Sequence, residues 1–153
     1  MTGPGEQPVT LAATALPTPA KGGAPEWVHL IPAGDMQARD GRRFWLSNPR
    51  AVVLNSIDPK ADLPIDYEHQ SETPDKRSNG PIPAAGWIKQ LEARADGIWG
   101  RVTWTERAAA MIAAREYRYL SPTLIVRPGD KSIVRLRSAG GVGKTGFITQ
   151  RWN

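Results

Sequence analysis

The stretch Ala85-Gly86-Trp87-Ile88-Lys89-Gln90-Leu91, Ala95-Asp96-Gly97 and Ile98-Trp99-Gly100-Arg101-Val102-Thr103-Trp104 holds two β-type runs on either side of an Asp-Gly turn signal. That pattern specifies an antiparallel hairpin. Downstream, Thr105 can cap a helix, and the alanine-rich residues 106–116 continue it. Residues 117–126 then read as a strand carrying Tyr119, Leu120, Leu124 and Ile125. Arg127-Pro128-Gly129-Asp130 is a turn, and residues 132–137 form a last strand. Upstream, residues 26–32 make a short strand and Arg42-Arg43-Phe44-Trp45 leads into another. Ser47-Asn48-Pro49 starts a helix over 50–57 that Asp58-Pro59 ends. Leu63, Ile65 and Tyr67 alternate with polar neighbours through residues 63–69, and a polar loop runs over 70–83. Strands outnumber helices, so the expected class is α+β: a small, mostly antiparallel β-barrel or sheet with a few short helices.

Composition excludes several chemistries. The 153 residues contain no Cys and two His, which removes disulfides, thiol nucleophiles and thiolate metal sites together. No cofactor or metal is expected. No apolar run approaches the ~20 residues of a membrane span, and the apolar stretch 11–16 lacks the basic segment of a secretion signal; a cytoplasmic protein is expected. Residues 1–25 are built from Gly, Pro, Ala and Thr, with too little apolar surface to offset ordering, and are expected to be a disordered arm. The net charge of +5 is concentrated after residue 100, the first hundred being slightly acidic. That basic third reads as a solvated face, since its Arg and Lys are not interleaved with a stacking platform. Trp27 and Trp45 are expected in the core, with at least two of Trp87, Trp99 and Trp104.

Three motifs invite chemistry. Gly140-Gly141-Val142-Gly143-Lys144-Thr145 imitates a phosphate-binding loop, but Ser138 stands at the first glycine position and only eight residues follow Thr145. No helix can then point its N-terminus at a phosphate. His69 ends an alternating strand near Asp66, Glu68 and Glu72, where carboxylates can orient an imidazole. Ser121 lies in the strand Tyr117-Arg118-Tyr119-Leu120-Ser121-Pro122, and needs an imidazole brought by the fold to become nucleophilic. Tyr117 and Tyr119 are expected on the Ser121 face. His29, inside a strand, reads as a packed or edge residue.

The segments Asp66-Tyr67-Glu68-His69-Gln70, Pro83-Ala84-Ala85-Gly86-Trp87-Ile88, Gly97-Ile98-Trp99-Gly100, Val102-Thr103-Trp104-Thr105 and Glu116-Tyr117-Arg118-Tyr119-Leu120-Ser121-Pro122 resemble, in that order, the Mu-like prophage I protein family. The arrangement is more distantly similar to prohead serine proteases and herpesvirus assemblins. The resemblance implies a capsid-maturation serine endopeptidase that cleaves itself and scaffold or capsid precursors. His69 would be the base and Ser121 the nucleophile, in a protease-like domain over 26–137. It implies phage scaffold and major capsid proteins as partners, with self-association. The third, imidazole-orienting group stays open between Glu68, Asp66 and Asp130. Oxyanion donors would be backbone N–H groups, helped by Arg135 or Arg137. Such relatives continue into a charged scaffold region, so the glycine-rich residues 138–153 are expected to be an atypical, truncated tail.

Two other readings compete. One is a catalytically silent scaffold or capsid-interaction protein. The other is a basic nucleic-acid-binding module using Arg101, Arg107, Arg115, Arg118, Arg127, Arg135 and Arg137, which would need those side chains on one continuous face.

Overall fold

A computed structural model describes residues 5–19, 22–58, 61–67 and 84–143. The described strands are β1 (Gln7–Thr10), β2 (Thr14–Ala15), β3 (Trp27–Pro32), β4 (Gly34–Gln37), β5 (Arg43–Leu46), β6 (Leu63–Tyr67), β7 (Ala84–Arg94), β8 (Gly97–Trp104), β9 (Tyr117–Arg127) and β10 (Ser132–Gly143). The helices are α1 (Pro49–Ser56) and α2 (Glu106–Ala113). The strands join one mixed sheet in the order β1-β9-β10-β6-β7-β8-β3, curled into a half-barrel. Most ladders are antiparallel, as expected. β10 is the exception, pairing in parallel with both β5 and β6.

The parallel pairs arise because one long strand is shared by two short ones. Ser132, at the start of β10, faces Trp45 of β5, whereas Ala139 to Gly141 face Ile65 to Tyr67 of β6. Between them α1 lies against β10 and supplies what a strand would. The Asn55 side-chain amide donates to the Val134 carbonyl (3.2 Å), and the Leu136 N–H donates to Ser56 Oγ (2.8 Å). The buried Ser56 hydroxyl donates its own hydrogen bond to the Val52 carbonyl (2.6 Å). Buried backbone groups without partners cost free energy comparable to a lost hydrogen bond, so α1 closes a gap that would otherwise open the sheet.

The β7–β8 hairpin forms where the turn signal lies. Its register pairs Arg94 with Gly97, leaving Ala95 and Asp96 at the tip. Gly97 has φ +131°, and a Cβ there would stand 2.0 Å from the Ile31 carbonyl oxygen, so only glycine fits. His29 on β3 clamps the tip. Its ring stacks on Trp99 (centroids 5.0 Å apart), and Nε2–H donates to the Asp96 carbonyl (2.9 Å). His29 is thus an edge residue with a packing role.

α1 and α2 start where their caps predict. Asn48 accepts from the Ala51 N–H ahead of Pro49, and Thr105 Oγ1 accepts from the Ala108 N–H (3.1 Å each).

Three expectations fail. Among the described residues of the expected disordered arm, 7–10 and 14–15 form β1 and β2 and pair with β9, where ladder hydrogen bonds join the burial of Val9 and Leu11 in holding the segment. The last strand does not end at residue 137. β10 runs to Gly143, so residues 138–143 belong to the sheet and not to a tail. Trp45 and Trp87 are 44% and 39% exposed. Trp27 and Trp99 flank the Arg94 guanidinium at 4.8 Å each, and only Trp104 packs against the core cluster. Indoles find cation and edge partners on the outer face of β3 and β8, where their polar N–H can also bond.

Candidate functional site

Ser121 lies in the middle of β9 and is fully buried. Across the sheet it faces Gly140 of β10, and Gly140 faces Asp66 of β6. Directly paired residues share a face, so Asp66 and Ser121 project to one side with a residue lacking a side chain between them. Two strand spacings separate their backbones, about 10 Å. Asp66 is 3% exposed. Thr123 and Ser138 form the next pair along on the same face, giving a buried patch of small polar residues.

The Ser121 hydroxyl has a defined partner whose origin is local. Antiparallel pairing puts Leu11 opposite Pro122, and the Leu11 N–H donates to the Pro122 carbonyl (2.9 Å). In such a pair the opposite residue returns an N–H, and proline has none. Ser121 Oγ–H donates to the Leu11 carbonyl instead (2.6 Å). The serine thus supplies the bond that its proline neighbour cannot.

His69, the expected base, lies outside the described residues, as do Glu68 and Glu72. Of the other groups considered for the third role, Asp130 sits in the turn joining β9 to β10. Its Oδ1 accepts from the Ser132 N–H (3.0 Å) and the Ser132 hydroxyl (2.6 Å). Those bonds hold its carboxyl below the ordinary carboxylate range. Arg127, beside that turn, is six residues along β9 from Ser121, roughly 20 Å at ~3.4 Å per residue, so Asp130 serves the turn and cannot reach the serine. Asp66 is the one described candidate in the serine's row. Arg135 faces Ile125, four residues away along β9, and Arg137 sits at an irregularity between Leu136 and Ser138, closer to Gly140.

The two tyrosines do not flank the serine together. The β9–β10 register slips between Tyr119 and Tyr117, and this bulge reverses the facing of Tyr117. Its ring lies against Tyr67 (5.3 Å) and beside Gly141, on the face opposite Ser121. Gly140, Gly141 and Gly143, which imitated a phosphate loop, are residues of β10. Lys144 and Thr145 lie outside the described residues.

The basic side chains have local partners on several elements. Arg101 donates to Gln90, Arg107 lies over the Tyr67 ring, Arg115 donates to Thr18, Arg118 donates to the Arg115 carbonyl, and Arg127 pairs with Glu6. A shallow groove runs between Leu16 to Thr18 and Arg115 to Arg118, and an apolar one lies between Tyr67, Trp104 and Ile112. Ser121 lines neither. Among the described residues, no three His, Asp or Glu side chains gather as a metal site requires, and no helix is long and apolar enough to cross a membrane.

Sequence reasoning missed Leu11, the residue that holds the serine. The signal was present in Pro122: a proline inside a strand leaves an opposite carbonyl that some donor must reach.

Comparison with known proteins is consistent with the ordered motifs. Residues 28–147 match the family described as "Mu-like prophage I protein, N-terminal domain". The chain is similar to "Protease I" of Escherichia phage Mu, 28% identical over 127 residues that cover 74% of this chain and 35% of that protein. The chain therefore spans about a third of the length of that relative. No solved structure matches.

Proposed function

Because this chain belongs to the Mu-like prophage I protein family, we propose that it is a serine endopeptidase of phage capsid maturation, acting on itself and on scaffold or capsid precursors. The observation that carries the reading is the match over residues 28–147 together with the similarity to a phage protease. Ser121 is the proposed nucleophile and His69 the proposed base. As Ser121 Oγ attacks the peptide carbonyl carbon, its proton passes to the His69 imidazole. The imidazolium then gives that proton to the departing amine as the C–N bond breaks, leaving an acyl-serine. Water then attacks the acyl carbon as His69 takes its proton, and the imidazolium returns that proton to Ser121 Oγ as the C–O bond breaks and the acid leaves. Asp66 is the proposed orienting carboxylate, supported by its burial in the Ser121 row. Scaffold and major capsid proteins are the proposed partners.

The test is cleavage of a scaffold segment from this family, followed on a gel. The parent chain should cut it, and Ser121→Ala and His69→Ala should each lose at least ~1000-fold in rate. Equal cutting by either variant removes that residue from the mechanism.

One observation favours the second reading, a silent capsid-interaction protein. The Ser121 hydroxyl is buried and already donates its hydrogen bond to a backbone carbonyl.

A further inference from the structure

We propose that residues 7–15 are a resident peptide on the substrate-binding edge of β9, and that the enzyme is latent until this strap is displaced by another extended peptide. The proposal rests on the serine-protease reading above. β1 covers Thr123 to Val126 and β2 covers Tyr119 and Leu120, so the strap straddles Ser121. Between them Leu11, Ala12 and Ala13 pass over Ser121 and Pro122, three residues against two. This bulge aims the Leu11 carbonyl at the hydroxyl.

The strap blocks the chemistry in two ways. The Ser121 proton is committed to Leu11, so it is not available to an imidazole. The edge of β9 is also filled, so no second strand can lie where a scissile carbonyl must sit. Extended peptides bind sheet edges through the same ladder that β1 and β2 make here.

The strap is held in a way compatible with release. Val9, Leu11 and Ala13 are buried, and its far side is tied by a Leu11–Ala38 bridge and by the Arg39 N–H donating to the Thr10 carbonyl. Its ends are held by exposed contacts: Arg42 donates to Gln7, and Arg115 to Thr18. A covalently joined strand acts at an effective concentration of roughly millimolar, so a free peptide competes poorly until the ends let go.

The experiment labels Ser121 of the full chain with a fluorophosphonate and follows strap opening by amide exchange at Leu11 and Leu16. The Leu11 N–H bonds to Pro122 and the Leu16 N–H to the Arg118 carbonyl. Ala13→Asp puts a charge at a fully buried strap position. It should speed exchange at both amides while β9–β10 amides stay protected, and speed labelling at least tenfold. A synthetic peptide of residues 7–16 at millimolar concentration should slow labelling of the variant again. Equal labelling of parent and variant overturns the strap and leaves Ser121 a nucleophile. No labelling in either, despite faster strap exchange, overturns the strap together with the serine-protease reading. Should Ala13→Asp not fold, the parent alone decides: labelling no faster than Leu11 amide opening supports the strap, and faster labelling overturns it.

Discussion

Ser121 and Pro122 act as one unit, and this is measurable. Ser121→Ala leaves the Leu11 carbonyl without a donor in a buried setting and should cost about 1–3 kcal/mol in chemical denaturation. Pro122→Ala restores a backbone N–H facing that carbonyl. In that background the same Ser121→Ala change should cost less than ~1 kcal/mol, and equal costs in both backgrounds would break the account. Ser56 makes a similar bridge between elements. Ser56→Ala leaves the Leu136 N–H unsatisfied at the seam of β10, and a loss of about 1–3 kcal/mol is expected from urea midpoints. Asp130 gives the fold an acid dependence. Its folded carboxyl is held low by the Ser132 hydrogen bonds, so its ionised form stabilises the turn at pH values above the unfolded value of about 3.9. That contribution disappears as pH falls through the lower folded value. Melting curves of the parent and Asp130→Asn should therefore differ at pH 6 and converge in acid.

At the scale of elements, legibility followed local chemistry. Asn48 and Thr105 announced their helices because a cap is a short-range signal, and the β7–β8 hairpin was readable from alternation and Asp96-Gly97. Thr105 does more than cap. Its hydroxyl also donates to the Ala85 carbonyl (3.2 Å), and its N–H to the same oxygen (2.9 Å), fastening α2 to β7. Thr105→Ala should cost about 1 kcal/mol, and the amide of Ala108 should show the largest loss of exchange protection. Elements whose stability comes from distant partners were not readable. β1 and β2 have few large side chains, and they exist because the exposed edge of β9 offers them a ladder. The glycine-rich end of β10 looked like a loop or tail. It is strand because β6 and β9 bracket it. The Tyr117 facing depends on a single bulge, which no alternation rule foretells.

For the molecule as a whole, the half-barrel serves to bring distant segments to β9. The strap, β10 and β6 approach Ser121 from widely separated parts of the chain, so the sequence could propose a serine and a histidine as a pair but could not show what covers the serine. Family membership accounts for the ordered motifs, and the fold accounts for a hydroxyl kept dry by its own N-terminal segment. The proposed mechanism requires the His69 imidazole to serve the residue at position 121. Since the chain has no cysteine, Ser121→Cys creates a unique thiol whose alkylation by iodoacetamide can be followed against pH, in conditions where the rate is first order in reagent. A thiol at position 121 paired with His69 should give a thiolate midpoint below the ordinary ~8.5, returning to that value or above when His69→Ala is added. An identical midpoint with and without His69 would contradict it.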